Sequence, residues 1–315
     1  MTASSHAAGA ARFLRPEFLR RAMRLDLAVR LTVESFLAGR HRSVRRGFSA
    51  EFSDYREYAP GDDVADVDWR VYARTDKHYV KCFEAETSMR CVLAVDCSES
   101  MAWRSRPSLP TKAEYAGFLA AALGWMLWRQ RDCAGLALFD GKVRRLRPPK
   151  SRKTHLVAML ETLGRGLDQP EAGDAAAALH DLARSVRRRG MTVIISDLLT
   201  AGTDEVLKSV EHLAWRGQDV LVLQVLDPGE LSPKLSAGQL LRDPETGREY
   251  QVDGFGAVRC RRAVEEMLAA YRARFRDLGV DYAVVSTEAP FDRALAAFLA
   301  TRRWRRRGAG GRRGA

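Results

Sequence analysis

The fold class this chain predicts is α/β, a doubly wound and mostly parallel sheet, and three observations predict it. Apolar runs at 92–95, 191–196 and 220–225 are continuous rather than alternating, as strands covered on both faces must be. Segments 112–130 and 205–215 between them carry helical spacing. Strands that alternate with helices cover both faces of one sheet.

Ahead of that sheet, residues 1–11 are small and polar and are expected to be disordered. Phe13, Phe18, Leu19, Met23, Leu27, Leu31 and Leu37 recur at mostly helical spacing with a basic opposite face, so 12–38 predicts an amphipathic helix, broken near Arg30. No apolar stretch follows Arg12, Arg15, Arg20 and Arg21, so no signal peptide is expected. No window reaches the roughly 18 apolar residues of a membrane span. Residues 39–89 switch to short strand-like pieces such as 79–83 and predict a small β-rich subdomain. Within it Pro60-Gly61 marks a turn, and Arg56, Asp62, Asp63, Asp68, Arg70 and Arg74 alternate in charge around large aromatics. That composition suits a paired network folded against a sheet edge, acting as a clamp or as a docking surface.

The main domain is expected over 90–300. Its first strand ends at Asp96, and the helix at 112–130 buries Phe118, Leu119, Leu123 and Leu127. A strand at 136–139 stops at Asp140-Gly141, and 143–146 is its antiparallel partner. A helix follows Thr154, and the alanine-rich 171–178 leads into another at 179–188. Gly190 and Gly217 stand just before strands, where they end the preceding helices. Residues 231–256 predict a hairpin excursion, with strands 240–243 and 248–252 around Pro244-Glu245-Thr246-Gly247. Helix 264–278, strand 282–286 and helix 291–301 complete the domain, and 301–315 is expected to be a basic disordered tail.

The chemistry gathers where strands end. Asp96, Ser98 and Ser100 place three oxygen-bearing side chains in one tight loop at a strand's carboxyl end, where open α/β sheets bind ligands. Such hard donors suit Mg²⁺, which keeps several waters and leaves a position for another protein's carboxylate. Asp197 ends a second buried strand and is expected at the same sheet edge; Thr154 opens a helix after the basic segment 148–153. The competing readings are structural: Ser98, Ser100 and Thr154 as helix caps, and Asp197 as a generic loop carboxylate. Asp227-Pro228-Gly229-Glu230 ends the strand at 220–225 and is expected to border the same mouth.

Together, D-x-S-x-S, a later threonine and a strand-terminal aspartate resemble the metal-ion-dependent adhesion site of von Willebrand factor A domains. That resemblance implies metal ligation by Asp96, Ser98 and Ser100 from one loop, Thr154 from a second and Asp197 from a third, without the glycines that usually precede the threonine. The segment 51–58, then Pro60-Gly61-Asp62-Asp63, Val67-Asp68-Trp69-Arg70, Ala73-Arg74 and 80–86, resembles the signature of the domain-of-unknown-function family numbered fifty-eight. Members are von Willebrand factor A-like proteins often associated with MoxR-type AAA+ ATPases. The likeness implies a Mg²⁺- or Mn²⁺-dependent adaptor that partners such an ATPase and a client protein, with a partner Asp or Glu completing the coordination.

Composition narrows the alternatives. The chain has 315 residues, 46% of them hydrophobic, and five scattered cysteines whose odd number argues against a disulfide framework, so a cytoplasmic protein is expected. Seven arginines and no acid lie beyond residue 300, which leaves +5 of the formal +12 on the rest. Solvation, or weak contact with the anionic inner surface of a membrane, accounts for that tail better than specific nucleic-acid binding. No G-x-x-x-x-G-K-[ST] loop and no H-E-x-x-H motif occurs, and no nucleophile or acid is apparent, so a binding function is expected and an enzyme is not. The alternatives to metal-dependent binding are a structural interaction module with a vestigial metal site and a membrane-surface adaptor acting through the tail.

Overall fold

The computed structural model describes residues 13, 50–58, 67, 69–75, 78–85, 89–186, 189–199 and 202–310. The chain divides into two compact units, Leu37–Ser88 and the combination of Met1–Phe36 with Met89–Ala315. The helix expected at 12–38 lies outside the described residues apart from Phe13, and so do Asp62, Asp63 and Asp68.

In the smaller unit, β1 (Ala50–Glu57) pairs antiparallel with β2 (Tyr79–Ala85), with a register shift between Phe52 and Asp54. Helix α1 (Trp69–Thr75) lies between them in sequence. Its Tyr72 ring stacks on His78 at 4.4 Å, and Trp69 meets both rings edge-on while staying 56% exposed.

The larger unit carries the expected sheet. Its strands are β3 (Arg90–Asp96), β4 (Cys133–Phe139), β5 (Val143–Lys150), β6 (Gly190–Ser196), β7 (Gln218–Leu226) and β10 (Asp281–Ser286), in spatial order β10-β7-β6-β3-β4-β5. All neighbours run parallel except β5 against β4. The strands read as continuous apolar runs because both faces are covered. Edge strand β5 is the exception: its arginines and Pro148-Pro149 leave little of it buried, and charge and proline are what keep an edge from pairing further. The antiparallel partner expected at 143–146 is present and extends to Lys150.

Helices flank both faces. On one, α2 (Lys112–Arg129) and α3 (Lys153–Leu167) pack so closely that Gly124 abuts Met159, Leu156 and Leu93, while Phe13 meets Phe118 edge-to-face at 5.9 Å. On the other, α4 (Ala175–Ser185), α5 (Thr203–Trp215) and α7 (Gly256–Asp277) bury Leu179, Leu182, Val206, Val210, Tyr271 and Phe275 with Val92, Ile194 and Val222 of the sheet. Helix α4 starts at Ala175, earlier than expected, because Asp174 caps it by accepting from the Ala176 amide.

The two strand-preceding glycines have different causes. Gly217, at φ +79°, follows α5 in the left-handed conformation that ends a helix, as expected. Gly190 instead lies within β6, where a Cβ would strike the Arg90 carbonyl of β3. After β7 comes a single helical turn, α6 (Pro228–Leu231), and then an excursion in which β8 (Leu240–Arg242) pairs only with β9 (Glu249–Gln251). Helix α8 (Phe291–Gly310) continues past residue 301, where the sequence reading starts a disordered tail. Among the described residues, no helix is long and apolar enough to cross a membrane.

Candidate functional site

Strand order reverses between β3 and β6, and the crevice beyond the carboxyl ends at such a switch point is where open α/β sheets place ligands. Asp96 and Asp197 sit there, both buried. Asp96 Oδ1 accepts from the Ser98 amide at 2.9 Å and Oδ2 from Ser196 Oγ at 2.5 Å. Burial first, and then the charge of Asp197, push its carboxyl up to about 7. The loop tightens into a single 3₁₀ turn (Glu99–Ala102), which brings Ser98 Oγ and Ser100 Oγ within 3.1 Å of each other, both nearly buried. Cys97 faces inward, and burial with Asp96 beside it pushes the thiol far up, so it stays protonated.

Asp197 is held by a bend. Leu198 takes a positive φ of 52°, Asp197 Oδ1 accepts from the Leu199 amide at 3.0 Å, and its backbone carbonyl accepts from Gln224 Nε2 at 2.6 Å. Its second oxygen, Oδ2, accepts from Lys112 Nζ at 2.7 Å. Lys112 is the first residue of α2, directly after Thr111, which forms a capping box with Glu114. A lysine in the first turn opposes the helix dipole and is disfavoured there on that ground. This one turns inward, is 1% exposed, and donates a second, short bond to Glu230 Oε1 of α6. Burial disfavours the ammonium, yet Asp197 and Glu230 outweigh it and hold Lys112 above its ordinary value. Glu230 is fixed in turn by the Asp227 amide, which donates to Oε2 at 2.9 Å.

A third segment reaches the cup, though not the expected one. Glu171 forms a parallel bridge with Ser98, and its side chain accepts from Arg144 at 2.6 Å. Gly173 follows, so close to Gly141 that a Cβ would strike the Gly141 amide. Glu245, from the turn between β8 and β9, then joins two loops: Oε1 accepts from the Ser100 amide at 2.9 Å and Oε2 from the Gly173 amide at 2.7 Å.

Thr154 lies away from the cup, contrary to expectation. Because β5 runs antiparallel, it carries the chain back to the amino ends of the parallel strands, where Lys150 lies opposite Ala134 and His155 Nε2 approaches the Ala134 carbonyl at 3.1 Å. Thr154 is therefore exposed at the opposite edge, about 20 Å from Asp96 by the rise of the intervening strand. The four other expected ligands, Asp96, Ser98, Ser100 and Asp197, share one edge but do not form an open donor set. Asp197 is engaged by Lys112, and the two serine hydroxyls face each other. Among the described residues, no group of three or more His, Cys, Asp or Glu is placed to hold a metal ion. Lys112 Nζ holds Asp197 Oδ2, an oxygen that the adhesion motif would give to a divalent ion.

Sequence reasoning named the 227–230 loop as bordering this mouth but missed Lys112, Ser196, Gly173 and Glu245. The signal for Lys112 was available: a cation inside the first turn of the capping box T-K-A-E needs a reason to be there.

A family model described as "Protein of unknown function DUF58" matches residues 54–274. An uncharacterized protein of Mycobacterium tuberculosis is 30% identical over 283 residues, covering 89% of this chain and 88% of its own length, and one of Mycobacterium avium is 34% identical over 137 residues, 42% of this chain and 77% of its own. Of solved structures, the conserved hypothetical protein BatB of Bacteroides thetaiotaomicron aligns at a TM-score of 0.44 with 20% identity, over 67% of this chain and 97% of that one.

Proposed function

Because the chain belongs to the DUF58 family, we propose that it is a non-enzymatic protein-interaction module of von Willebrand factor A type. Its recognition face is the cup between β3 and β6, and Lys112 serves there as a fixed cation in place of a divalent ion. One observation carries this reading: Lys112 Nζ, shut off from solvent, lies between Asp197 and Glu230. The Oδ2 oxygen of Asp197, which a divalent ion would need as a ligand, accepts from that ammonium instead. The adhesion motif survives in Asp96, Ser98 and Ser100, but its polar atoms bond within the chain.

The partner proposed from the family likeness is a MoxR-type AAA+ ATPase, engaged without a bridging metal. The test is capture of such an ATPase, without nucleotide, on the immobilised full chain in EDTA and in MgCl₂. Equal capture in both, with loss on Glu99→Arg or Trp103→Ala at the exposed rim of the cup, is expected. Capture that disappears in EDTA, or that ignores both rim substitutions, contradicts the reading.

A further inference from the structure

The excursion after β7 is built to present one carboxylate. Asp243 organises its tip: Oδ1 accepts from the Glu245 amide at 2.9 Å, Oδ2 accepts from Thr246 Oγ1 at 2.6 Å, and its backbone carbonyl accepts from the Gly247 amide at 2.8 Å. Gly247, at φ +69°, supplies the left-handed residue that closes the turn. The rest of the arm is sparsely held. Its two short strands pair only with each other, and Leu240 and Tyr250 are 65% and 54% exposed. Its base carries Gly238, at φ +82°, and Gly254, both with open space where a Cβ would stand. The arm is tied at its root by the Gly238 amide, which donates to the Val252 carbonyl at 2.7 Å, and beyond that point its strands pair only with each other. What the tip touches is the cup itself, through the amides of Ser100 and Gly173, donors from two separate loops converging on one carboxylate.

We propose that these two amides form a carboxylate seat that Glu245 fills in cis, and that an acidic side chain of a protein partner takes the seat when the arm swings out. The inference rests on the cup being a recognition face and adds how it is closed. The seat needs no metal, because two N–H donors directed at a carboxylate supply charge-assisted hydrogen bonds. The seated Glu245 identifies the chemistry of the occupant, and the separation of β8 and β9 from the main sheet lets the arm leave without breaking that sheet.

Backbone-amide exchange on the full chain tests the latch without any partner. In Glu245→Ala, exchange at the Ser100 and Gly173 amides and across 239–252 should quicken by about tenfold or more, while Glu249→Ala on the same arm leaves them at the wild-type rate. Sodium acetate, compared with chloride at equal ionic strength, should then shift the Ser100 and Gly173 amide resonances in Glu245→Ala and leave them unmoved in the wild type. Unchanged exchange in Glu245→Ala, or acetate shifts of equal size in both proteins, overturns the latch. Capture of the ATPase is read separately and should increase in Glu245→Ala. Failure of all capture, with accelerated exchange and the acetate shifts still seen in Glu245→Ala, removes the proposed function and leaves the seat standing.

Discussion

Lys112 Nζ lies 2.7 Å from Asp197 Oδ2, with both side chains at least 98% removed from solvent, although 85 residues separate them in the chain. Breaking such a pair from one side leaves an uncompensated buried charge, which costs far more than the intact pair contributes. Lys112→Met should therefore destabilise the protein by about 3–5 kcal/mol, since Asp197 and Glu230 lose their shared cation. Urea denaturation measures it, and a loss below about 1 kcal/mol would show that the ammonium is not the charge holding the cup together.

Asp96 makes the cup pH-sensitive. Its folded value of about 7 stands above the ordinary 3.8, so between those values the folded state binds more protons than the unfolded one, and stability falls as pH rises through that window. Asp96→Asn removes the titration. Its stability relative to wild type should rise from pH 5 to pH 8 by about 2–3 kcal/mol, the part of the shift that lies inside that window. Denaturation curves at the two pH values decide it, and a difference independent of pH would contradict the assignment.

Much of this was legible in the sequence, for reasons that also explain the failures. Buried strands announce themselves as apolar runs, so β3, β6 and β7 were placed within about two residues, and the strand ends put Asp96 and Asp197 at one edge. Thr154 was misplaced because one antiparallel strand reverses the chain: with 143–146 read as antiparallel, the helix after it had to begin at the far edge. Lys112 and Glu245 were illegible as partners, because their contacts join segments 85 and 145 residues distant and no local pattern encodes such a meeting. The turn chemistry around Glu245 could be read; its destination could not.

Thr154→Ala should accordingly be silent. An exposed threonine at the opposite edge, beyond the reach of the cup, ought to change stability by no more than about 0.5 kcal/mol and leave ATPase capture at wild-type levels. Thermal denaturation with the capture assay checks both, and loss of capture would restore Thr154 to the site.

Gly173 is constrained from two directions, since a Cβ would strike the Gly141 backbone and its amide donates to Glu245. Gly173→Ala should cost about 1–3 kcal/mol through overpacking and should also free the arm, seen as faster amide exchange over 239–252. Destabilisation without that faster exchange would separate the glycine's steric role from the seat.

The most direct test of the fixed cation is anomalous diffraction from a crystal soaked in MnCl₂. A lysine ammonium between Asp197 and Glu230, with no manganese peak at the cup, is the predicted result. A manganese peak about 2.1 Å from oxygens of Asp96, Ser98 and Ser100, with Lys112 displaced from Asp197, would contradict it.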